Sequence, residues 1–215
     1  MNDTLHSRFQ RCVDQYRDKA ALMIKIMWRY QKITWREFGE SVCHFALGLS
    51  TIGVKKGDRV AILSENRPAW AISDLAILSE GAITVPIYPT STPKQIAYIL
   101  NNSESKVVIV STGEQLQKVK AVFDDLSYLE KIVVMDRLDD QGVIQFENLL
   151  ETGKKLSLAQ PDLYDQHTQR TDSMDTATII YTSGTTGEPK GVMLTHENIL
   201  FNCDAADCVV PVSDE

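Results

Sequence analysis

The chain has 215 residues and a mass of 24.1 kDa, room for one large domain or two small ones. With 43% hydrophobic and 24% charged residues, its composition excludes a disordered or fibrous protein. A net charge of −7 argues against a nucleic-acid or anionic-membrane binder, because those surfaces need clustered Lys and Arg. In chain order, Leu5, Phe9, Cys12 and Tyr16 recur at helical spacing and predict an amphipathic helix from about Leu5 to Asp18. Two short strands follow, Ala20 to Trp28 and Lys32 to Thr34, around a polar turn at Arg29 to Gln31. Thr34-Trp35-Arg36-Glu37 is a capping box, in which the Thr hydroxyl and Glu carboxylate each satisfy a free backbone N–H. The helix that it opens carries Phe38, Val42, Phe45 and Leu49 on one face and stops near Gly53.

From Arg59 the pattern becomes regular. Apolar strands at Arg59 to Leu63, Ala82 to Tyr88, Lys106 to Val110 and Lys131 to Met135 alternate with helices. Those helices begin at Pro68, at the Thr92 cap and near Glu114. Strand centres about 24 residues apart suit one strand, one crossover helix and two short loops. Strands apolar throughout imply a sheet covered on both faces, so the expected fold class is α/β, a layered α/β/α arrangement with a mainly parallel sheet. The expected organisation is 1–58 as helix, hairpin and helix, and 59–150 as the repeating β-α unit, with a short helix around Phe146 to Leu150. Residues 151–175 read as a connector, and 176–215 as strand, Gly-rich loop, strand and helix. No G-x-G-x-x-G follows a strand, so the dinucleotide fingerprint is missing.

Cys12, Cys43, Cys203 and Cys208 are too far apart, or at C-x4-C, for a disulfide or zinc framework, and they read as reduced thiols. The four histidines, His6, His44, His167 and His196, are scattered, and His44 within its helix reads as a packed or surface residue. The first residues lack the layout of a secretory signal, and no apolar stretch is long enough to span a bilayer. A cytoplasmic location is the expectation, with a peripheral membrane position left open for a longer parent enzyme.

The chemistry concentrates after Thr178-Ile179-Ile180-Tyr181. Thr182-Ser183-Gly184-Thr185-Thr186-Gly187-Glu188-Pro189-Lys190-Gly191 puts three Gly, four hydroxyl residues, one Pro and one Lys between two strands. Gly184, Gly187 and Gly191 permit positive φ and close backbone approach, so successive N–H groups can converge on an anion. Thr182, Ser183, Thr185 and Thr186 add hydroxyl donors, and Tyr181 reads as a packing residue. Lys190 is, with Arg170, one of two cations against ten acidic residues between Leu156 and Glu215. Charge-assisted hydrogen bonds contribute roughly 1.5–3 kcal/mol each, so several together suit a polyphosphate. The order is not the Walker A loop, because Pro189 stands where that pattern requires Gly and Gly191 follows the Lys. On composition alone, a Gly/Ser/Thr-rich hairpin without a ligand is the plain alternative.

YTSGTTGEPKGVMLTHENI resembles the phosphate-loop signature of the AMP-forming adenylating superfamily of acyl-CoA synthetases, luciferases and peptide-synthetase adenylation domains. Upstream, Trp28 to Leu49, Val60 to Pro68 and above all LAILSEGAITVPIYPTSTPKQIAYIL (Leu75 to Leu100) resemble bacterial long-chain fatty-acid–CoA ligases. The resemblance implies the N-terminal subdomain of the adenylating-enzyme fold and a ligase that joins a fatty acid to coenzyme A through acyl-AMP, with release of pyrophosphate. It implies ATP and Mg2+ as cofactors and coenzyme A as co-substrate. Thr182, Ser183, Gly184, Thr185, Thr186, Gly187 and Lys190 would surround the β- and γ-phosphates, and Thr182 would help to hold Mg2+. The family's adenine, ribose and metal-binding acidic motifs and its mobile C-terminal domain do not follow Asn202. The expectation is therefore an N-terminal fragment with no catalytic residue of its own, inactive alone and prone to self-association through uncovered surface. A noncatalytic nucleotide- or partner-binding module, or an adenylating enzyme for another carboxylic acid, stand as alternatives.

Overall fold

The computed structural model describes residues 3–182 and 188–209. Helix α1 (Leu5–Tyr16) is followed by a hairpin of β1 (Ala20–Ile26) and β2 (Arg29–Thr34), then by α2 (Trp35–Thr51). The alternating part runs β3 (Arg59–Leu63), α3 (Pro68–Ser79), β4 (Ile83–Ile87), α4 (Pro93–Asn102), β5 (Val107–Val110), α5 (Gly113–Lys120) and β6 (Lys131–Val134). It ends in β7 (Ile144–Gln145), α6 (Phe146–Ala159), α7 (Leu163–Thr168), β8 (Thr176–Thr182), β9 (Lys190–Thr195) and α8 (His196–Val209).

Local chemistry sets the helix starts. Thr34 accepts from the Glu37 N–H while Glu37 accepts from the Thr34 N–H at 2.8 Å, so the capping box forms as the sequence implies. Thr92 and Gln95 repeat the device at α4, with Pro93 in the first turn, where its missing N–H costs nothing. Helix α2 ends as expected at Gly53, whose φ of +95° is the left-handed cap conformation.

The main sheet has the order β7-β6-β5-β3-β4-β8-β9, parallel throughout except for the antiparallel β8–β9 pair. Strands β3 to β6 are buried on both sides, as a layered α/β/α fold requires, while β9 at the edge is largely exposed. Val60, Ile62, Val107, Ile109 and Val133 face one core, shared with α1, α2, α3, α6 and α7. Ala61, Leu63, Val85, Val108, Val110 and Val134 face the other, under α4 and α5. The direction in which strands are added to the sheet reverses at β3, which has β4 on one side and β5 on the other. That puts a topological switch, and with it the usual place for a ligand, at the carboxyl ends of the central strands.

Three elements differ from the sequence expectation. The hairpin turn is Met27-Trp28 rather than Arg29 to Gln31, and both residues take positive φ. Residues 151–175, read as a connector, hold the second half of α6 and all of α7. Helix α6 packs against α2 so closely that an added Cβ on Gly153 would stand 1.7 Å from the His44 carbonyl oxygen, and one on Gly48 would stand 2.4 Å from that of Leu149. The Phe45 and Phe146 rings stack beside this crossing at 4.2 Å. Helix α8 continues to Val209, beyond the expected Asn202.

Candidate functional site

Thr182 ends β8 and Lys190 begins β9, and the two oppose each other as the last pair of the antiparallel ladder. Both side chains belong to exposed residues. The other expected phosphate ligands, Ser183, Gly184, Thr185, Thr186 and Gly187, lie outside the described residues. The base of their loop is held firmly. Tyr98 of α4 donates its hydroxyl to the Pro189 carbonyl at 3.0 Å, and Tyr181 donates to Asn102 Oδ1 at 2.6 Å. The two tyrosine rings meet edge to face at 6.4 Å, and burial pushes the Tyr181 phenol up, keeping it a neutral donor. Tyr181 is therefore a packing and clamping residue, as its place on an apolar strand implies.

Gly191 plays a different part from the one its motif position implies. Its φ is not positive; a Cβ there would stand 2.9 Å from Ile179 Cγ2 and 3.1 Å from Tyr181 Cζ. The missing side chain lets β9 lie against the Tyr181 ring and so fixes where Lys190 emerges.

Beside this hairpin, a cavity of about 550 Å³ opens at the carboxyl ends of β3, β4 and β8, lined by Glu65, Trp70, Tyr88, Pro89, Ile180 and Tyr181 among others. A neighbouring groove of about 390 Å³ shares Tyr88, Ile180 and Tyr181 and runs to Thr182 and Pro189. The apolar walls thus run on to Thr182, which Lys190 opposes across the ladder. Glu65 does not offer a free carboxylate to it. Ser111 and Gln115 donate to its two oxygens, and the Ser111 hydrogen bond, with Gln115 and Arg67 adding, holds its carboxyl below the usual range. Arg67 is tied to Asp136 at 2.8 Å and to the Ser111 carbonyl. Glu65 and Arg67 therefore brace the switch point between β3 and β5.

Sequence reading missed Tyr88, Tyr98 and Lys118. Tyr88 is 73% exposed at the end of β4 although it continues an apolar run. Lys118 donates to the Pro89 carbonyl at 2.7 Å, which places a second cation near the cavity mouth. An aromatic residue at the carboxyl end of a central strand, beside the Tyr-Pro step, was the available signal for Tyr88. Tyr98 carried none, because its role depends on α4 reaching across to the hairpin.

The donor set fits an anion. Lys190 makes no ion pair among the described residues, and Thr182 adds a hydroxyl across the ladder. For a divalent cation the described chain brings less, since no group of three His, Cys, Asp or Glu residues could hold a metal among the described residues. Thr182 alone would be one neutral oxygen ligand. The histidines lie away from this rim. His6 Nδ1 meets Ser79 Oγ at 2.9 Å, beside Tyr164, and burial pulls its pKa down to about 4. His196 Nδ1 accepts from the Leu5 N–H, and His167 contacts Glu80 at 2.8 Å, where burial raises the carboxyl. All three tie helices to one another. The four cysteines are free.

A family profile described as "AMP-binding enzyme" matches residues 9–214. The long-chain-fatty-acid–CoA ligase ACSBG2 of Xenopus laevis is 32% identical over 206 residues, covering 94% of this chain and 28% of that protein. The long-chain-fatty-acid–CoA ligase FadD15 of Mycobacterium bovis is 36% identical over 179 residues, covering 83% of this chain and 29% of that protein. Among solved structures, the anthranilate CoA ligase AuaEII with anthranoyl-AMP superposes with a TM-score of 0.82 at 24% identity, over 94% of this chain and 36% of the other. That likeness shows the fold alone, the layered α/β arrangement that the two chains share. The chain spans a little under a third of the length of the ligases that it resembles.

Proposed function

The chain belongs to the AMP-binding enzyme family, and from that premise we propose that it supplies the phosphate-binding part of a long-chain fatty-acid–CoA ligase. The observation that carries the reading is the Thr182–Lys190 pair, which closes a hairpin loop on the rim of an apolar cavity at the sheet's carboxyl edge. The long-chain substrate is favoured over an aryl or amino acid by the ligases that match at 32–36% identity.

In the first step, a fatty-acid carboxylate oxygen attacks the α-phosphorus of ATP, and the bond to pyrophosphate breaks with its electron pair on the leaving oxygen. Lys190 neutralises that developing charge, while the hydroxyls of Thr182, Ser183, Thr185 and Thr186 and the backbone at Gly184 and Gly187 hold the β- and γ-phosphates. A Mg2+ ion, when bound, would offset phosphate charge, with the Thr182 hydroxyl among its ligands. The Tyr98 and Tyr181 hydrogen bonds hold Pro189 and the end of β8, and with them the ladder pair of Thr182 and Lys190. In the second step, the coenzyme A thiol attacks the acyl carbonyl and AMP leaves. No described residue is placed for that step, and the 215 residues alone are inactive in this reading.

Palmitate-dependent ATP–pyrophosphate exchange tests the reading in the longer polypeptide that carries this sequence. Exchange lost on Lys190→Ala, with circular dichroism unchanged, is the expected outcome, because an exposed lysine contributes little to packing. Unchanged exchange removes Lys190 from the mechanism. Acyl-CoA formation by the 215-residue chain would refute its inactivity.

A further inference from the structure

The β1–β2 hairpin is built against the ordinary rules of turn chemistry. Its two-residue turn places both Met27 (φ 44°) and Trp28 (φ 67°) in left-handed backbone, a geometry that usually takes Asn-Gly or Gly-Gly. These bulky residues are not turned inward to compensate; Met27 is 90% and Trp28 89% exposed. Met23, Ile26 and Tyr30 add exposed apolar surface around them. Only the base of the hairpin is anchored, through Ala21, Leu22 and Ile33 on the core. The five residues from Leu22 to the turn carry the tip roughly 15 Å beyond that anchor.

Charge is distributed with equal bias. Residues 19–36 contain Lys19, Lys25, Arg29, Lys32 and Arg36 and no acidic residue. The net charge of −7 is therefore a poor guide to this surface. The register puts Met23, Lys25, Tyr30 and Lys32 on one face, and Lys25 Nζ lies 4.9 Å from the Trp28 ring centre and 6.0 Å from that of Tyr30. Cations interleaved with amphipathic aromatic rings around an apolar tip match the layered chemistry of a bilayer interface. A second copy of the chain fits poorly, since two such hairpins would set Lys25, Arg29 and Lys32 of one against the same three of the other.

We propose that the Met27-Trp28 tip inserts into the interface of an anionic lipid bilayer while the flanking Lys and Arg side chains contact the lipid phosphates. The proposal rests on the hairpin alone and stands whether or not the phosphate-loop reading holds.

Flotation of the 215-residue chain with phosphatidylglycerol–phosphatidylcholine vesicles tests it, with phosphatidylcholine vesicles as the neutral control. The protein is expected to float with the anionic vesicles, to be released by high salt, and to show a blue-shifted tryptophan emission that is absent in Trp28→Phe. Met27→Asn/Trp28→Gly, which restores favoured turn residues and so keeps the hairpin folded, is expected to weaken binding at least about tenfold. Lys25→Gln/Arg29→Gln should weaken it while leaving the tip intact. The proposal is overturned if the wild-type chain stays with the unbound fraction at low salt, or if the Met27→Asn/Trp28→Gly chain binds as well as wild type. It is also overturned if that variant turns an oligomer into a monomer with no change in vesicle binding, which would make the tip a self-association surface.

Discussion

Replacing Gly153 by Ala isolates the contact that fixes α6 on α2. In an exposed helix this change would stabilise by about 1 kcal/mol, because Ala is the better helix former. Here the new Cβ would stand 1.7 Å from the His44 carbonyl oxygen and 2.7 Å from the Gly48 nitrogen, both backbone atoms that no rotamer can move. Relieving the overlap requires the helices to part locally by more than an ångström. That gap would loosen the Phe45–Phe146 stack and the burial of Leu149. A radial gap of about 0.5–1 Å already forfeits a quarter to a half of each dispersion contact. Overpacking typically costs about 1–3 kcal/mol with side chains, and backbone overlap puts this site at the upper end. Net of the propensity gain, we expect about 2 kcal/mol of destabilisation, read as a lower urea midpoint at unchanged slope. Thr152→Ala, one residue away on the exposed side of α6, should change stability by no more than about 0.5 kcal/mol. If Gly153→Ala stabilises the chain as a solvent-facing substitution would, the close crossing of α2 and α6 is refuted.

Acid response carries two opposing groups. His6 binds its proton near pH 6.5 when unfolded but only near 4 when folded, so stability falls as pH drops between those values, by up to about 3 kcal/mol. Burial beneath the sheet raises Asp74 to about 6, so it works the other way: the folded chain takes up that proton first and gains stability between about pH 6 and 4. Asp74→Asn should therefore stabilise the protein at neutral pH and steepen its loss of stability on acidification; parallel pH profiles for the two chains would contradict this. Met27→Asn/Trp28→Gly should raise unfolding stability by about 1–2 kcal/mol through relief of two left-handed non-glycine residues, and a lower urea midpoint would argue against the turn geometry. Lys190→Ala should leave the unfolding free energy from urea denaturation within about 0.5 kcal/mol of wild type, and a larger drop would mean that the side chain supports the fold.

The sequence revealed those features whose cause is local. Apolar runs such as Val107–Val110 show themselves as buried strands, and Thr34/Glu37 and Thr92/Gln95 announce helix starts through hydrogen bonds made within four residues. Features set by partners distant in sequence stayed hidden. Residues 151–175 look polar because α6 buries only a narrow face, Phe146, Leu149 and Gly153, against α2 some hundred residues earlier. The Met27-Trp28 turn was misplaced because its residues contradict the usual turn chemistry. At the candidate site, the residue types of the loop raise the expectation of an anion cradle, and the register sets Thr182 opposite Lys190. The clamp of Tyr98 on Pro189 and the packing of Gly191 on Tyr181 depend on α4 and β8 arriving from elsewhere in the chain.

The most direct measurement is an NMR titration of the 15N-labelled 215-residue chain with ATP. Amide shifts concentrated at Thr182 to Lys190 and at Tyr98, and abolished by Lys190→Ala, are the result we expect. Shifts confined to other segments, with the amides of Gly184 and Gly187 unmoved at saturating nucleotide, would contradict a phosphate-holding role for the β8–β9 loop.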